Sequence, residues 1–315
     1  MGCGTWAWGN RLLWAYSPDI DSQLQQVFNL CVESGVTLFD TGDSYGTGRL
    51  NGRSEQLLGK FTAEYDGANG NNICVATKLA AYPWRLRRSS MVRACEGSAR
   101  RLQRPVDLAQ MHWSPSNYAP WQEQPLLNGL GDLCDRGLVK GVGLSNYGPK
   151  MLRRAHQLLG DRGIPILSLQ VQYSLLSRYP ETGLDIRSVC DELGIRLIAY
   201  SPLALGLLTG KYAVDGKRPS GLRGLVFRQI LPGIQPLLDC LQEVATARHK
   251  SMAQVAINWC MAKGAIPIPG AKSVEQAQAN VGALGWQLTT SEVEALETAA
   301  AKSPKQMVQN IFQTK

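Results

Sequence analysis

Asp40, Tyr45, Lys78 and His112 stand at or just beyond the ends of three successive apolar runs. The first run is the stretch 36-VTLFDTGDSYGTG-48, which ends on Asp40 and places Tyr45 five residues later among Gly, Ser and Thr. Taken singly, each residue has a plain structural use: a strand-end cap, a loop anchor, a snorkelling lysine, a core histidine. Together they suit proton transfer. A carboxylate beside a lysine keeps the ammonium charged where burial would neutralise it, and that charge in turn favours the phenolate of a nearby tyrosine. The expectation is a Tyr45 phenol drawn down from its ordinary value near 10, able to protonate an oxygen that gains charge as hydride reaches the adjoining carbon.

Elements must bring these four together. Short apolar runs recur about every thirty residues: 36–42, 73–79, 108–113, 141–146, 168–174, 195–201 and 265–271. They read as buried strands, and the helical spacing of 22–34, 124–137 and 184–194 between them gives alternating strand and helix. With Gly2 to Ala7 as a first strand the count is eight. That favours a closed (β/α)8 barrel of the TIM type, α/β in class and a single domain over 1–315, above an open doubly wound sheet. The stretch 2-GCGTWAWG-9 lacks the third glycine of a dinucleotide fingerprint. In a barrel the four residues share the mouth at the C-terminal ends of the strands. The long stretch 202–233 is expected to lie over that mouth as a functional loop.

Composition narrows the classes. The chain has 315 residues, 44% hydrophobic and 18% charged, and no apolar run long enough to span a bilayer, so membrane insertion is not expected. Its net charge of +8 is dispersed apart from 85-RLRRSSMVR-93 and 100-RRLQR-104. They read first as a solvated helix face and loop; no nucleic-acid-binding pattern accompanies them, so nucleic acid is not an expected partner, and a phosphate-bearing small ligand is the middle option. The eight cysteines stand singly with no CxxC pair, and only three histidines occur, so neither a metal site nor a disulfide framework is expected. The opening MGCGTW fails the myristoylation pattern at Trp6, and no signal or targeting segment is expected before the first strand.

Five motifs in order carry a resemblance over essentially the whole chain: GCGTWAWG (Gly2 to Gly9), FDTGDSYG (Phe39 to Gly46), GVGLSNY (Gly141 to Tyr147), YSPLALGLLTGKY (Tyr200 to Tyr212) and IPIPGAKS (Ile266 to Ser273). The sequence resembles the aldo-keto reductases, NADPH-dependent (β/α)8 enzymes with an Asp, Tyr, Lys, His tetrad that Asp40, Tyr45, Lys78 and His112 match. It looks most like plastid-type plant and algal members, through 82-YPWRL-86 and the ending NIFQTK, and more distantly like potassium-channel β subunits. The resemblance implies a chloroplast location, with the cytoplasm as the alternative.

The same resemblance implies NADPH/NADP+ as cofactor. It assigns Ser145, Asn146 and Gln170 to the nicotinamide carboxamide and Tyr200 to stacking on the ring, with Gly4, Thr5 and Trp6 also on the cofactor side. Ser201, Pro202, Leu203, Gly206 and Lys211 would line the pyrophosphate. Gly270, Ala271 and Lys272 open a helix suited to phosphate, with Lys272 and Gln276 at the 2′-phosphate and Asn280 at adenine. Many members carry Glu where this chain has Ala279 and some carry Arg where it has Gln276. Many also have a β-hairpin ahead of the first strand, so exposed apolar surface, or cover by another element or chain, is expected at the N-terminal end of this barrel. Trp8, Trp84 and Trp113 are expected to wall the pocket for a small carbonyl substrate. An NADPH-binding redox-sensing subunit with little turnover is the alternative function, and the oligomeric state stays open.

Overall fold

The computed structural model describes residues 1–315 except 213–215, 217, 218 and 220 and the side chain of residue 222, so part of the stretch 202–233 lies outside the described residues. Eight parallel strands follow one another around one sheet: β1 (Cys3–Gly4), β2 (Leu38–Asp40), β3 (Cys74–Leu79), β4 (Val106–Met111), β5 (Val139–Ser145), β6 (Ile166–Gln172), β7 (Arg196–Tyr200) and β8 (Ile266–Pro267). The amides of Gly2 and Gly4 reach the carbonyls of Pro267 and Pro269, which joins β8 back to β1. The result is the expected (β/α)8 barrel.

Strand parity explains both faces. Phe39 points outward from β2 and meets Phe28 at 4.7 Å between ring centroids, so Asp40 points inward. Phe28 belongs to the helix Asp21–Glu33, whose buried residues Leu24, Val27, Phe28, Cys31 and Val32 repeat at helical spacing and lie along the barrel wall. Lys78 and Gln110 are paired in register across β3 and β4, which brings their side chains to the same inner layer as Asp40.

Two strands are shorter than their apolar runs. β1 stops at Gly4 because Trp6 to Gly9 turn away from the sheet. β8 stops at Pro267, since Pro267 and Pro269 have no amide to give to a ladder. The stretch 202–233 is not structureless: it holds tight turns over Ala204–Thr209, kinked at Leu205 and Gly206, and an α-helix over Gly221–Ile230. At the N-terminal end of the barrel, inward-facing Leu38, Cys74, Leu108 and Ile266 are half-buried and Leu167 is exposed, so apolar side chains do reach that surface.

Trp8 is fully buried in the turn after β1, where its ring meets Phe61 and its indole N–H donates to the Ala271 carbonyl at 3.0 Å. It ties the first strand to the segment after the last. Truncating a buried aromatic costs about 3–5 kcal/mol. Trp8→Ala should therefore lower the denaturant midpoint at an unchanged slope, and an unmoved midpoint would contradict this placement.

Candidate active site

The Asp40 carboxylate, buried at the end of β2, accepts from three donors. Lys78 Nζ lies 2.5 Å from Oδ1, and Gln170 and Gln110 donate to Oδ2 at 2.7 and 3.1 Å. Lys78 also donates to the Thr41 carbonyl at 3.0 Å. This leaves one of its three N–H donors toward Tyr45, whose ring centroid is 4.8 Å from Nζ. Burial works against the Lys78 charge, but Asp40 and Tyr45 outweigh it and raise the lysine pKa.

The loop after β2 carries the tyrosine. Asp43 fixes this loop by accepting from the Ala80 amide at 3.2 Å and pairing with Arg85 at 2.7 Å. A Cβ on Gly42 would stand 3.2 Å from the Tyr45 ring, so the glycine leaves the ring its place. Here the direction expected from sequence is corrected. Burial raises the Tyr45 pKa more than Lys78 lowers it, so the phenol stays protonated above its ordinary value. A donor must hold its proton until an oxygen calls for it, and Lys78 opposes the burial effect at the atom that would become charged.

His112 follows β4, with its ring edge-on to Tyr45 at 5.7 Å and beside Trp113 at 4.8 Å. Burial, with help from Lys78 and Arg85, holds its pKa well below the usual imidazole range, so the ring is neutral. Its Nδ1 lies 3.3 Å from Ser44 Oγ, and its carbonyl accepts from Asn146 Nδ2 at 3.1 Å.

These groups sit in a cavity of about 1030 Å³ at the C-terminal mouth. It is also lined by Gly4, Trp6, Ser145, Asn146, Gln170 and Tyr200, then by Ser201, Pro202, Leu203, Gly206 and Lys211, and at the far end by Gly270, Lys272, Gln276 and Asn280. Three expected residues fall elsewhere. Thr5 is buried behind the wall, bonded to the Asp40 carbonyl and Ser54. Trp8 is core, as described above. Trp84 is 71% exposed and stacks on Tyr82 at 4.5 Å on the outer rim, where its ring covers Tyr82 rather than the cavity. Trp113 does line the cavity.

The inner polar set complements a carboxamide. Both Asn146 N–H donors are used, by the His112 carbonyl and Ser145 Oγ, while its Oδ1 accepts from Tyr200 and keeps a second lone pair. Ser145 Oγ accepts that bond and still has its own proton to give. Gln170 Nε2 is committed to Asp40, which leaves its carbonyl oxygen open. One donor for a C=O and two acceptors for an NH₂ are what a nicotinamide amide needs. At the far end Lys211, Lys272 and Arg223 gather their charge. Lys272 donates to the Trp14 carbonyl at 2.6 Å, and burial with the nearby Arg223 and Lys211 lowers its pKa. Such a cluster seeks an anion. Gly206 at φ +104° takes a backbone conformation that suits glycine, with the Arg223 guanidinium against it.

Sequence reading missed Arg223, which stacks over Trp14 at 4.6 Å and donates to the Leu205 carbonyl. It also missed the tail beyond the helix Thr290–Lys302. That tail folds across the mouth: Phe312 stacks on Trp113 at 4.4 Å, and Asn310 donates to the Tyr200 hydroxyl at 2.9 Å. Thr314 bonds both Asn146 and Gly148. The lone aromatic Phe312 beside Asn310 in a segment without helical spacing was the available signal.

The described residues include no helix long and apolar enough to cross a membrane. A family model described as "Aldo/keto reductase family" matches residues 1–301. Among curated proteins the chain is 58% identical over 318 residues to "Pyridoxal reductase, chloroplastic" of Arabidopsis thaliana, covering 100% of this chain and 87% of that one. It is 35% identical over 309 residues to an uncharacterized oxidoreductase of Mycobacterium bovis, covering 95% and 88%. A solved glycerol dehydrogenase of Gluconobacter oxydans shares the fold with a TM-score of 0.81 at 24% identity over 99% of this chain and 94% of that one. An aldo-keto reductase of Klebsiella pneumoniae, solved in complex with NADPH, shares it with a TM-score of 0.71 at 22% identity over 100% and 94%.

A neutral His112 has a consequence for stability. Its folded pKa lies below the unfolded value near 6.5, so as pH falls below about 6.5 the unfolded chain takes up a proton that the folded chain refuses. This contribution to stability is present above that pH and is lost as the pH drops, by up to about 1.4 kcal/mol per unit. His112→Gln should flatten the midpoint against pH between 7.5 and 5, and identical slopes in the two proteins would contradict a neutral His112.

Proposed function

This chain belongs to the aldo/keto reductase family of oxidoreductases, and from that premise we propose that it reduces an aldehyde to the alcohol with NADPH, Tyr45 supplying the proton. The observation that carries the reading is the buried Asp40–Lys78 pair, with Lys78 Nζ 4.8 Å from the ring of a protonated Tyr45 and neutral His112 edge-on to that ring in the same cavity. NADPH, when bound, supplies hydride to the carbonyl carbon. Everything else falls to the chain. Ser145, Asn146 and Gln170 offer the donor and acceptors that orient the carboxamide, and the carbonyl oxygen lies between Tyr45 and His112. As that oxygen gains charge, Tyr45 Oη gives it the proton, and Lys78 steadies the phenolate left behind. Lys211, Arg223 and Lys272 hold the phosphates.

Pyridoxal is the substrate we propose, on the name of the 58% identical relative and on the wall beside His112. Trp113 and Phe312 give that wall flat apolar faces, and the two cations that act on His112, Lys78 and Arg85, are already paired with Asp40 and Asp43. A planar aromatic aldehyde suits such a surface. The chloroplast is the proposed location, by the same relative.

Steady NADPH oxidation with pyridoxal and a panel of aromatic aldehydes tests the reading. Tight NADPH retention with no turnover across the panel would overturn it in favour of a sensing subunit. Tyr45→Phe should keep NADPH binding and lose roughly a hundred- to ten-thousandfold in rate, the usual weight of general acid catalysis. A folded variant with wild-type rate would remove Tyr45 from the role. Lys272→Ala should weaken NADPH by roughly 1.5 to 3 kcal/mol and NADH much less, as a charge-assisted phosphate contact requires. Equal losses for the two cofactors would move the 2′-phosphate away from Lys272.

A further inference from the structure

A neutral imidazole carries its proton on one of two nitrogens, and which one decides whether the ring offers a partner a donor or an acceptor. At His112 the neighbours make the choice. Nδ1 lies 3.3 Å from Ser44 Oγ, in the loop that Asp43 pins to Ala80 and Arg85. Among the described residues Nδ1 is the partner within hydrogen-bond distance of that hydroxyl, and a Ser44 O–H that donates to it leaves the ring proton on Nε2. The backbone holds the ring in place, with the His112 amide on the Leu79 carbonyl and its carbonyl on Asn146. Nε2 has no hydrogen-bond partner among the described residues, and His112 lines the cavity.

We propose that Ser44 is a positioning residue that fixes His112 as the Nε2–H tautomer, so that the ring presents a donor to the cavity beside Tyr45. The hydroxyl gives its hydrogen bond to Nδ1, the ring proton stays on Nε2, and no proton changes hands. Its use rests on the carbonyl-reduction reading: Tyr45 O–H and His112 Nε2–H then meet the two lone pairs of one carbonyl oxygen. The other tautomer would set a nitrogen lone pair against that oxygen, which repels it. Ser44 and Tyr45 are adjacent in sequence, so one loop places the acid and sets the polarity of the ring across from it.

The chain has three histidines, His112, His156 and His249, which makes the ring nitrogens resolvable by NMR on the full-length protein labelled with ¹⁵N-histidine, with and without NADP+. His112→Gln assigns the signal. The expected wild-type pattern is a bare Nδ1 and a protonated Nε2; Ser44→Ala should give a mixture of tautomers, and Ser44→Thr, which keeps the hydroxyl, should restore the wild-type pattern. The Tyr82 phenol also faces Ser44, and Tyr82→Phe should leave the tautomer unchanged. With a good aldehyde, Ser44→Ala should lose roughly five- to tenfold in kcat, the weight of one neutral hydrogen bond, at unchanged NADPH affinity. A wild-type His112 protonated on Nδ1 or on both nitrogens overturns the proposal. So does a pure Nε2–H signal in Ser44→Ala, or mixing caused by Tyr82→Phe instead. If the wild type reduces no carbonyl, the reduction reading falls while the tautomer result still decides the role of Ser44.

Discussion

A charge pair with almost no access to water sits at the centre of this barrel, and the rest of the site is arranged around its cost. Taking Asp40 and Lys78 out of water is expensive, and their attraction offsets that only when the remaining lone pairs and protons are also met. Gln110 from β4, Gln170 from β6 and the Thr41 carbonyl meet them. Removing one member of such a pair typically costs about 3–5 kcal/mol, because the other is left buried and alone. The pair therefore joins four strands through their inner layer. It also points a cation at the ring of Tyr45.

The mouth above it is assembled from distant parts of the chain. Asn146 takes a left-handed backbone conformation, φ 61°, and from it bonds outward to His112, Ser145 and Tyr200. Tyr200 is in turn held by Asn310 of the tail, and the tail closes on Trp113 through Phe312. The Asn146–Tyr200 side and the His112–Trp113 side of the cavity thus share one frame. Through Asn310 the tail reaches Tyr200, and through Tyr200 it reaches Asn146.

How far this could be read from sequence follows from the range of each interaction. Parallel strands buried on both faces appear as apolar runs, and in a barrel their ends must converge, so the meeting of Asp40, Lys78 and His112 followed from spacing alone. The direction of a side chain past the strand end does not. Trp8 and Trp84 have the residue type and position of Trp113, yet one turns into the core and the other onto the rim. The sign of the Tyr45 shift was hidden for a related reason: the charge of Lys78 is visible in the sequence, the depth of burial that outweighs it is not. Arg223 reaches the cavity from a helix inserted after β7 and Phe312 from an irregular tail, neither marked by the strand spacing that announces the mouth.

Asp40 keeps Lys78 charged in a place where water cannot. The most direct measurement is the charge state of the Lys78 Nζ by ¹⁵N-detected NMR across pH, in the wild type and in a folded Asp40→Asn protein. The account predicts that the wild-type ammonium persists beyond the ordinary lysine pKa near 10.4, and that in Asp40→Asn, where burial is no longer opposed by a carboxylate, it is lost below that value. A neutral Lys78 amine in the wild type near pH 8, or the same titration in both proteins, would contradict it.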